Sequence, residues 1–340
     1  MRPFALVRPE TLARARALIV AKPDARALRA GGIDLLDRLK EGLEEPELLV
    51  ELSRIADTPG LIAGTTEVGS GLMFGALTTL ASLADADMPG MAALHEAARE
   101  AATPSIRNTA TLGGNLLQRP RCWYFRNREL ICLKKGGDTC LALLGDNRYH
   151  AILGAGPSYI VHPSSLATAL LALDASVAIS THADASPEQD PLGVRMVELA
   201  DLFVGPKQDP TREHALAPGE VLIGVLVEPK PGQRSVYQAV REKQSHDWPL
   251  AEAAVRLRLE GGRMREVRVA LGHVAPVPWL AREAMVELEN QVPSPERFAA
   301  AAEAALASAT PLEGNAYKIP LCKGLLREAL HRATDIPLPE

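Results

Sequence analysis

Two glycine-bearing segments hold the residues best suited to chemistry in this 340-residue chain: Ala30-Gly31-Gly32-Ile33-Asp34-Leu35 and Thr111-Leu112-Gly113-Gly114-Asn115. A Gly-Gly turn lets successive main-chain N–H groups converge on an anion with no Cβ in the way. Two such turns suit a ligand with two phosphates. Neither segment matches the Rossmann pattern G-x-G-x-x-G, and the chain contains no P-loop. Taken singly, each is equally an ordinary tight turn. The pair, in its wider context, favours anion binding.

A second constellation is the segment Gln118–Arg148, which carries Cys122, Cys132 and Cys140. Its spacing is not that of a zinc site, and three successive cysteines in so irregular a stretch do not read as buried core. Arg119, Arg121, Arg126, Arg128, Lys134 and Lys135 flank them. Such cations are expected to lower thiol pKa values and to offset the negative charge of an iron–sulfur cluster. The amides of Leu133–Cys140 are expected to donate to sulfur. No Ser-His-Asp arrangement, H-E-x-x-H or paired-carboxylate motif is present, and His95, His182, His214 and His331 read as isolated surface residues.

The composition sets these features in a soluble globular frame, with 47% hydrophobic and 23% charged residues. Aromatics are 4%, so the core is aliphatic. A net charge of −5 gives no electrostatic case for nucleic acid or an anionic membrane. The N-terminus lacks an apolar signal region, and no apolar run approaches the roughly 20 residues that span a bilayer. A cytoplasmic location is expected, or a periplasmic one through export with a signal-bearing partner. Four cysteines in that setting argue against disulfides.

The elements that must position the two turns follow from periodicity and caps. Residues 1–55 read as strand, helix, strand, helix, strand. Thr11 caps a helix over 12–21, and Gly31-Gly32 joins a strand over 27–30 to a helix over 34–40. Strands over 61–64 and 72–75 and helices over 79–84 and 91–101 lead to the second turn. A helix over 164–174 and strands over 176–180 and 220–228 follow an insertion at 118–160. From about 233 the chain alternates as three strands, 235–241, 251–260 and 265–274, with a hairpin turn at Gly261-Gly262. Helices over 281–290, 295–307 and 323–333 complete a C-terminal α+β unit. The organisation reads as 1–55, 56–228 with the insertion, and 229–340.

These segments, taken in order, resemble the FAD-binding medium subunit of the molybdenum hydroxylases, the xanthine dehydrogenase, aldehyde oxidoreductase and carbon monoxide dehydrogenase group. The family's Ala-Gly-Gly-Thr-Asp/Asn-Leu is Ala30 to Leu35 here, and its Ile-Gly-Ala-x-Thr-Thr-Leu is Phe74 to Leu80. Ile106 to Leu116 matches Ile/Leu-Arg-Asn-x-Ala-Thr-x-Gly-Gly-Asn-Leu. His162-Pro163-Ser164-Ser165, Pro218 to Ile223, Leu271 to Trp279 and Asn315 to Lys318 match later motifs. The resemblance implies an α+β chain with a vanillyl-alcohol-oxidase-type FAD-binding fold of two α+β subdomains. A C-terminal α+β domain with a three-stranded antiparallel sheet and helices follows them. It implies FAD held by both glycine turns, with further contacts from Arg121, Ser165, Ile223 and Lys243. Arg241, Ser245, Asp247 and Trp248 lie on the strand that nears the flavin in relatives. Lys243 stands in for a lysine the family often has where Ala239 stands.

Two departures mark the site. Ser165 replaces an Asp near the flavin and ribityl chain, and Ile33 replaces a Thr at the phosphate turn. Each removes a polar contact, about 1 kcal/mol apiece. The insertion resembles that of aldehyde oxidoreductases and 4-hydroxybenzoyl-CoA reductase, whose flavin subunit carries an extra [4Fe-4S] cluster. Such a cluster takes four thiolates, and only Cys122, Cys132 and Cys140 are present; Cys322 reads as core. A cluster with Ser158 or His150 as fourth ligand, a labile three-iron form and a vestigial loop all remain open. The family also implies a molybdenum-cofactor large subunit, a [2Fe-2S] small subunit and an external electron acceptor. The alternatives are a stand-alone reductase of the UDP-N-acetylenolpyruvoylglucosamine reductase type and a scaffold subunit without FAD.

Overall fold

The computed structural model describes residues 1–340 except 57, 59–63, 182–192, 244–245 and 339–340. The first unit alternates β1 (Ala5–Val7), α1 (Leu12–Val20), β2 (Arg26–Arg29), α2 (Ile33–Lys40) and β3 (Leu48–Glu51). Its three strands pair in parallel, in the order β1-β3-β2. Thr11 caps α1 by accepting from Arg14 N. Gly32 caps α2 at φ +80°, a left-handed conformation that glycine adopts without strain.

The second unit opens on the hairpin β4 (Thr65–Val68) and β5 (Gly71–Gly75). The expected strand over 61–64 has Leu61–Ala63 outside the described residues; the hairpin begins at Thr65. Helices α3 (Leu80–Asp85), α4 (Ala92–Glu100), α5 (Pro104–Arg107), α6 (Leu112–Leu116), α7 (Trp123–Arg126) and α8 (Ser165–Ala172) follow. Then come β6 (Ser176–Ser180), β7 (Val194–Glu198), α9 (Leu199–Leu202) and β8 (Val221–Val227). The five strands form one sheet, β4-β5-β8-β6-β7. The second glycine segment is a helical turn, α6, because Thr111 caps it: its Oγ1 accepts from Gly114 N at 3.2 Å.

The C-terminal unit has strands β9 (Gln233–Val240), β10 (Ala251–Glu260), β11 (Arg263–Gly272) and β12 (Trp279–Leu280), and helices α10 (Arg282–Leu288), α11 (Pro295–Ala305) and α12 (Lys318–Thr334). Its antiparallel sheet has four strands rather than the expected three, in the order β12-β11-β10-β9. Pro276 and Pro278 turn the chain back so that Leu271 pairs with Trp279. Two residues are too few to show alternation in a sequence. Helix α12 starts five residues before its expected start at 323, with Pro320 in its first turn, where no intrahelical N–H is needed.

Every residue of α8 is buried. It lies between the second unit, packing on α4 and α6, and the C-terminal sheet, packing on β10 and β11. That position explains its nearly unbroken apolar sequence. The largest apolar cluster runs through it, from Phe74 and Leu94 to Tyr237, Ala254 and Ala270.

The two glycine turns touch. A Cβ on Gly31 would collide with the Thr109 carbonyl. The strand-like bridge between Thr79 and Thr111 holds the second turn from its other side, with Leu80 N donating to Ala110 O and Leu112 N to Thr78 O, both at 2.9 Å. Gly31→Ala is therefore expected to push the first unit off the second. A loss of about 1–3 kcal/mol in unfolding free energy is expected, as for overpacking elsewhere. Urea unfolding followed by circular dichroism measures it.

Candidate cofactor site

Both turns line one cavity of about 470 Å³, a volume suited to a small-molecule cofactor. Leu12, Leu28, Leu52 and Ile55 of the first unit form one apolar wall. Arg241, His246, Asp247, Trp248 and Pro249, on the connection between β9 and β10, form another. Ala30 to Leu35 face the space, as do Thr111, Gly113, Gly114, Asn115, Arg121 and Ser165.

The two turns offer donors unequally. Helix α2 begins in the cavity with no side-chain cap, so its first-turn amides and dipole point at whatever lies there. In the second turn Gly113 N donates to Ala76 O, Asn115 N to Thr111 O and Gly114 N to Thr111 Oγ1. Its glycines chiefly allow close approach, and its outward donor is a side chain. Asn115 Oδ1 accepts from Ser164 Oγ at 2.6 Å, which leaves the Asn115 NH2 group for the cavity it lines. Ser164 also caps α8 through Ala167 N. His162 Nδ1 accepts from Ser164 N, and burial pushes that imidazole down to about 3, so it stays neutral.

Asp34 is the electrostatic centre of the first turn. Its carboxylate meets Arg38 Nε at 3.0 Å, Arg121 Nη2 at 3.2 Å, Arg126 Nη2 at 2.5 Å and Arg119 N at 3.1 Å. Burial raises its pKa, but Arg38, Arg126 and Arg121 together outweigh that and hold it below the usual carboxylate range. Arg121 also lies over the Trp248 ring, 4.8 Å from its centroid, and so ties α2 to the C-terminal unit across the cavity.

Three expected contacts fall elsewhere. Leu112 and Ile223 are core side chains, and Ile223 helps only through its carbonyl, which accepts from Ala76 N. Lys243 is exposed and does not line the cavity, and Ser245 lies outside the described residues. Arg241, Asp247 and Trp248 reach the cavity from a connection rather than a strand. Sequence reasoning missed Ser164, which joins the second turn to α8; its signal was the cap position before an apolar helix.

The cysteine segment departs from expectation in its electrostatics. Arg119, Arg121, Arg126 and Lys134 face carboxylates, not thiols. Arg38, Arg119, Arg121, Arg126 and Lys134 interlock with Asp34, Asp37, Glu41, Glu44 and Glu213, five charges of each sign. Lys135 Nζ donates to Asn127 O. Burial pushes the Cys122 thiol up to about 11, opposite to the expected lowering, and Cys140 and Cys132 add to the rise. The Cys122 thiol sits 3.2 Å from His150 Nε2, and burial brings His150 down to about 4, so the pair is neutral. The amides of Lys135 and Gly137 donate to the Cys132 carbonyl, not to sulfur. His150 Nδ1 and Ser158 Oγ are buried without a partner. Among the described residues no three His, Cys, Asp or Glu side chains are grouped to hold a single metal ion. All four cysteines are free, and Cys322 is core.

The histidines also differ from expectation. His331 is buried on α12 with Nδ1 at 3.0 Å from Ile336 O, and His214 is half-buried and held near 4 by burial. His182 lies outside the described residues.

A family model for the FAD binding domain in molybdopterin dehydrogenase matches residues 2–230, and one for the CO dehydrogenase flavoprotein C-terminal domain matches 235–333. The chain belongs to the FAD-binding medium subunits of the molybdenum hydroxylase family. It is 34% identical to the aldehyde oxidoreductase FAD-binding subunit PaoB of Escherichia coli K12, over 98% of this chain and 99% of that protein. It is 28% identical to the carbon monoxide dehydrogenase medium chain of Afipia carboxidovorans, over 96% and 95%. Carbon monoxide dehydrogenase from Hydrogenophaga pseudoflava, solved without the Mo-pyranopterin moiety of its cofactor, superposes with a TM-score of 0.73 at 27% identity, covering 99% of this chain and 100% of that one. The second match sets aside the stand-alone reductase. Among the described residues no helix of the medium subunit is long and apolar enough to cross a membrane.

The cavity fits FAD in its donor chemistry: an uncapped helix start for phosphate, the Asn115 amide, and apolar walls for rings. Asp34→Asn in the medium subunit leaves three guanidiniums around a neutral amide. A destabilisation of about 3–5 kcal/mol is expected at pH 7, as for a buried ion pair stripped of one partner. The carboxylate's pKa is depressed by folding, so its contribution is complete above about pH 4 and fades as pH falls further. Urea unfolding between pH 7 and 3 should show the variant losing less stability with acid than the parent.

Proposed function

We propose that the medium subunit holds FAD in the cavity between its three units and relays electrons through it. The carrying observation is that both glycine turns, in contact with each other, open into that one space. The start of α2 and the Asn115 amide would hold the diphosphate, and Arg121 closes the side toward Trp248. Bound FAD supplies the redox chemistry; the chain supplies position and polarity. Electrons reach it from [2Fe-2S] centres of a small partner, after substrate oxidation at a molybdenum cofactor in a large one, and leave to an external acceptor. The relatives' names, an FAD-binding subunit and a medium chain, support FAD and a place among partner subunits. Asn115→Ala is expected to weaken FAD binding about fivefold, the effect of one lost hydrogen bond of about 1 kcal/mol. Fluorescence titration of flavin-stripped protein measures it. Protein that takes up no FAD would instead favour the scaffold.

The insertion supports a second assignment, an iron–sulfur cluster on Cys122, Cys132 and Cys140 with His150 as fourth ligand. Cys140 and Cys132 both contribute to the raised Cys122 pKa, and His150 Nε2 sits 3.2 Å from the Cys122 thiol. Ser158 is the weaker choice, having no contact with a cysteine to recommend it. Cys132→Ser is expected to remove iron and the broad visible absorbance while leaving FAD. An iron count of zero in the parent, purified without oxygen, would end this assignment.

A further inference from the structure

Four elements converge on one carboxyl group. Glu252, on β10, has no exposed surface. Its Oε1 accepts from Ser165 Oγ on α8 and from the Tyr237 hydroxyl on β9 at 2.7 Å, and its Oε2 pairs with Thr168 Oγ1 at 2.9 Å. Gly272, opposite it on β11, has no side chain to intrude; a Cβ there would collide with Glu252 Oε2 and the Thr168 hydroxyl. The rest of this stretch, Ala251 and Ala253 to Val255, is buried and apolar. A carboxyl there is costly unless it does something.

The hydrogen count points to a protonated acid. Thr168 Oγ1 has one proton and two acceptors, Glu252 Oε2 and Ser164 O at 3.4 Å. A proton on Oε2 satisfies both, running from Glu252 to Thr168 and from Thr168 to Ser164 O. The groups facing the carboxyl agree. Tyr237 is neutral, its pKa raised first by burial and then by Glu252. His273, with Nε2 at 3.5 Å, is held near 3 by burial and by Lys318 and Arg241. Helix α8 presents only hydroxyls. Arg241, on the cavity wall, is the cation that acts on Glu252, and it is engaged by Glu100 at 3.0 Å. Burial therefore dominates and raises the Glu252 pKa.

One hydroxyl separates this acid from the cofactor cavity: Ser165 bonds Glu252 on one side and lines the cavity on the other. We propose that Glu252 is the proton carrier of that cavity, exchanging its carboxyl proton with the bound cofactor through the Ser165 hydroxyl. The inference rests on the FAD reading above. Reduction of a flavin by two electrons, here from a reduced iron–sulfur partner, takes up protons. Transfer runs through the other form of the acid, with the proton on Oε1 donated to Ser165 Oγ, the Ser165 hydroxyl turned to the cavity and Thr168 donating to Oε2. Ser165 gives its hydroxyl proton toward the cavity as the Glu252 Oε1–H bond breaks, and the Glu252 proton forms the new O–H bond of Ser165. The carboxylate left behind stays held by the Tyr237 and Thr168 hydroxyls. On reoxidation by the acceptor the proton returns along the same two oxygens.

The test uses the assembled complex in three forms: parent, Glu252→Gln and Ser165→Ala. Glutamine keeps the hydrogen-bonding cell but carries no exchangeable acid; alanine keeps the acid and cuts the path. The parent is expected to lose a protonated-carboxyl infrared band when dithionite reduces the flavin, and Glu252→Gln to lack that band. Both variants are expected to retain FAD and to reduce about 100-fold more slowly, at the low end of what a positioned acid supplies, and Ser165→Ala to keep its carboxyl band on reduction. Retained FAD with parent-like rates in both variants would make Glu252 a structural latch and overturn the inference while sparing the function. If Glu252→Gln does not fold, Ser165→Ala decides alone. A parent without FAD overturns the function itself.

Discussion

The site depends on a single close approach, Gly31 against the Thr109 carbonyl. The parallel sheet of the first unit and the antiparallel sheet of the second share an apolar cluster, in which Leu12, Ile19, Val50 and Leu52 meet Met73, Ala178, Val221 and Ile223. That shared core holds the two sheets together, and the glycine contact sets how closely the two turns meet, with the Asp34–arginine network reinforcing it from the side. Any side chain at position 31 would separate the two turns and open the cavity between them. The same contact sets how near a ligand can come to the start of α2.

Charge around the cavity works by cancellation. The basic run from Arg119 to Lys135 looks in sequence like a positive patch, yet Arg119, Arg121, Arg126 and Lys134 are committed to five carboxylates. What remains for an anion is orientation: helix-start amides and a side-chain amide held by Ser164. The cysteine segment keeps a neutral Cys122–His150 pair.

Helix α8 joins the parts. Its cap residue Ser164 fixes Asn115, its first residue Ser165 touches both the cavity and Glu252, and Thr168 completes the acid's cell. The sequence loses a carboxylate at 165 relative to the family pattern. The tertiary structure brings one to the same hydroxyl from β10, with Gly272 making room.

Much of this was legible in the residues alone. The strand–helix alternation of the first unit, the cap Thr11, the Gly261-Gly262 hairpin and a helix near 164–174 each rest on local rules of φ, capping and periodicity, which act within a few residues. The two glycine turns were visible as candidate anion sites for the same reason. Local rules could not say that Thr111 would wind the second turn into a helix and use its amides, or that Trp279–Leu280 would add a fourth strand. Nor could they show which charges the basic run would meet, since its partners lie up to 94 residues away. Thiol and carboxyl pKa values likewise belong to the folded chain, because burial and distant partners set them. The sequence by itself determined which turns can approach an anion. Only the tertiary structure decided that they meet, because closure of 80 residues between them is a matter of packing, not of local conformation.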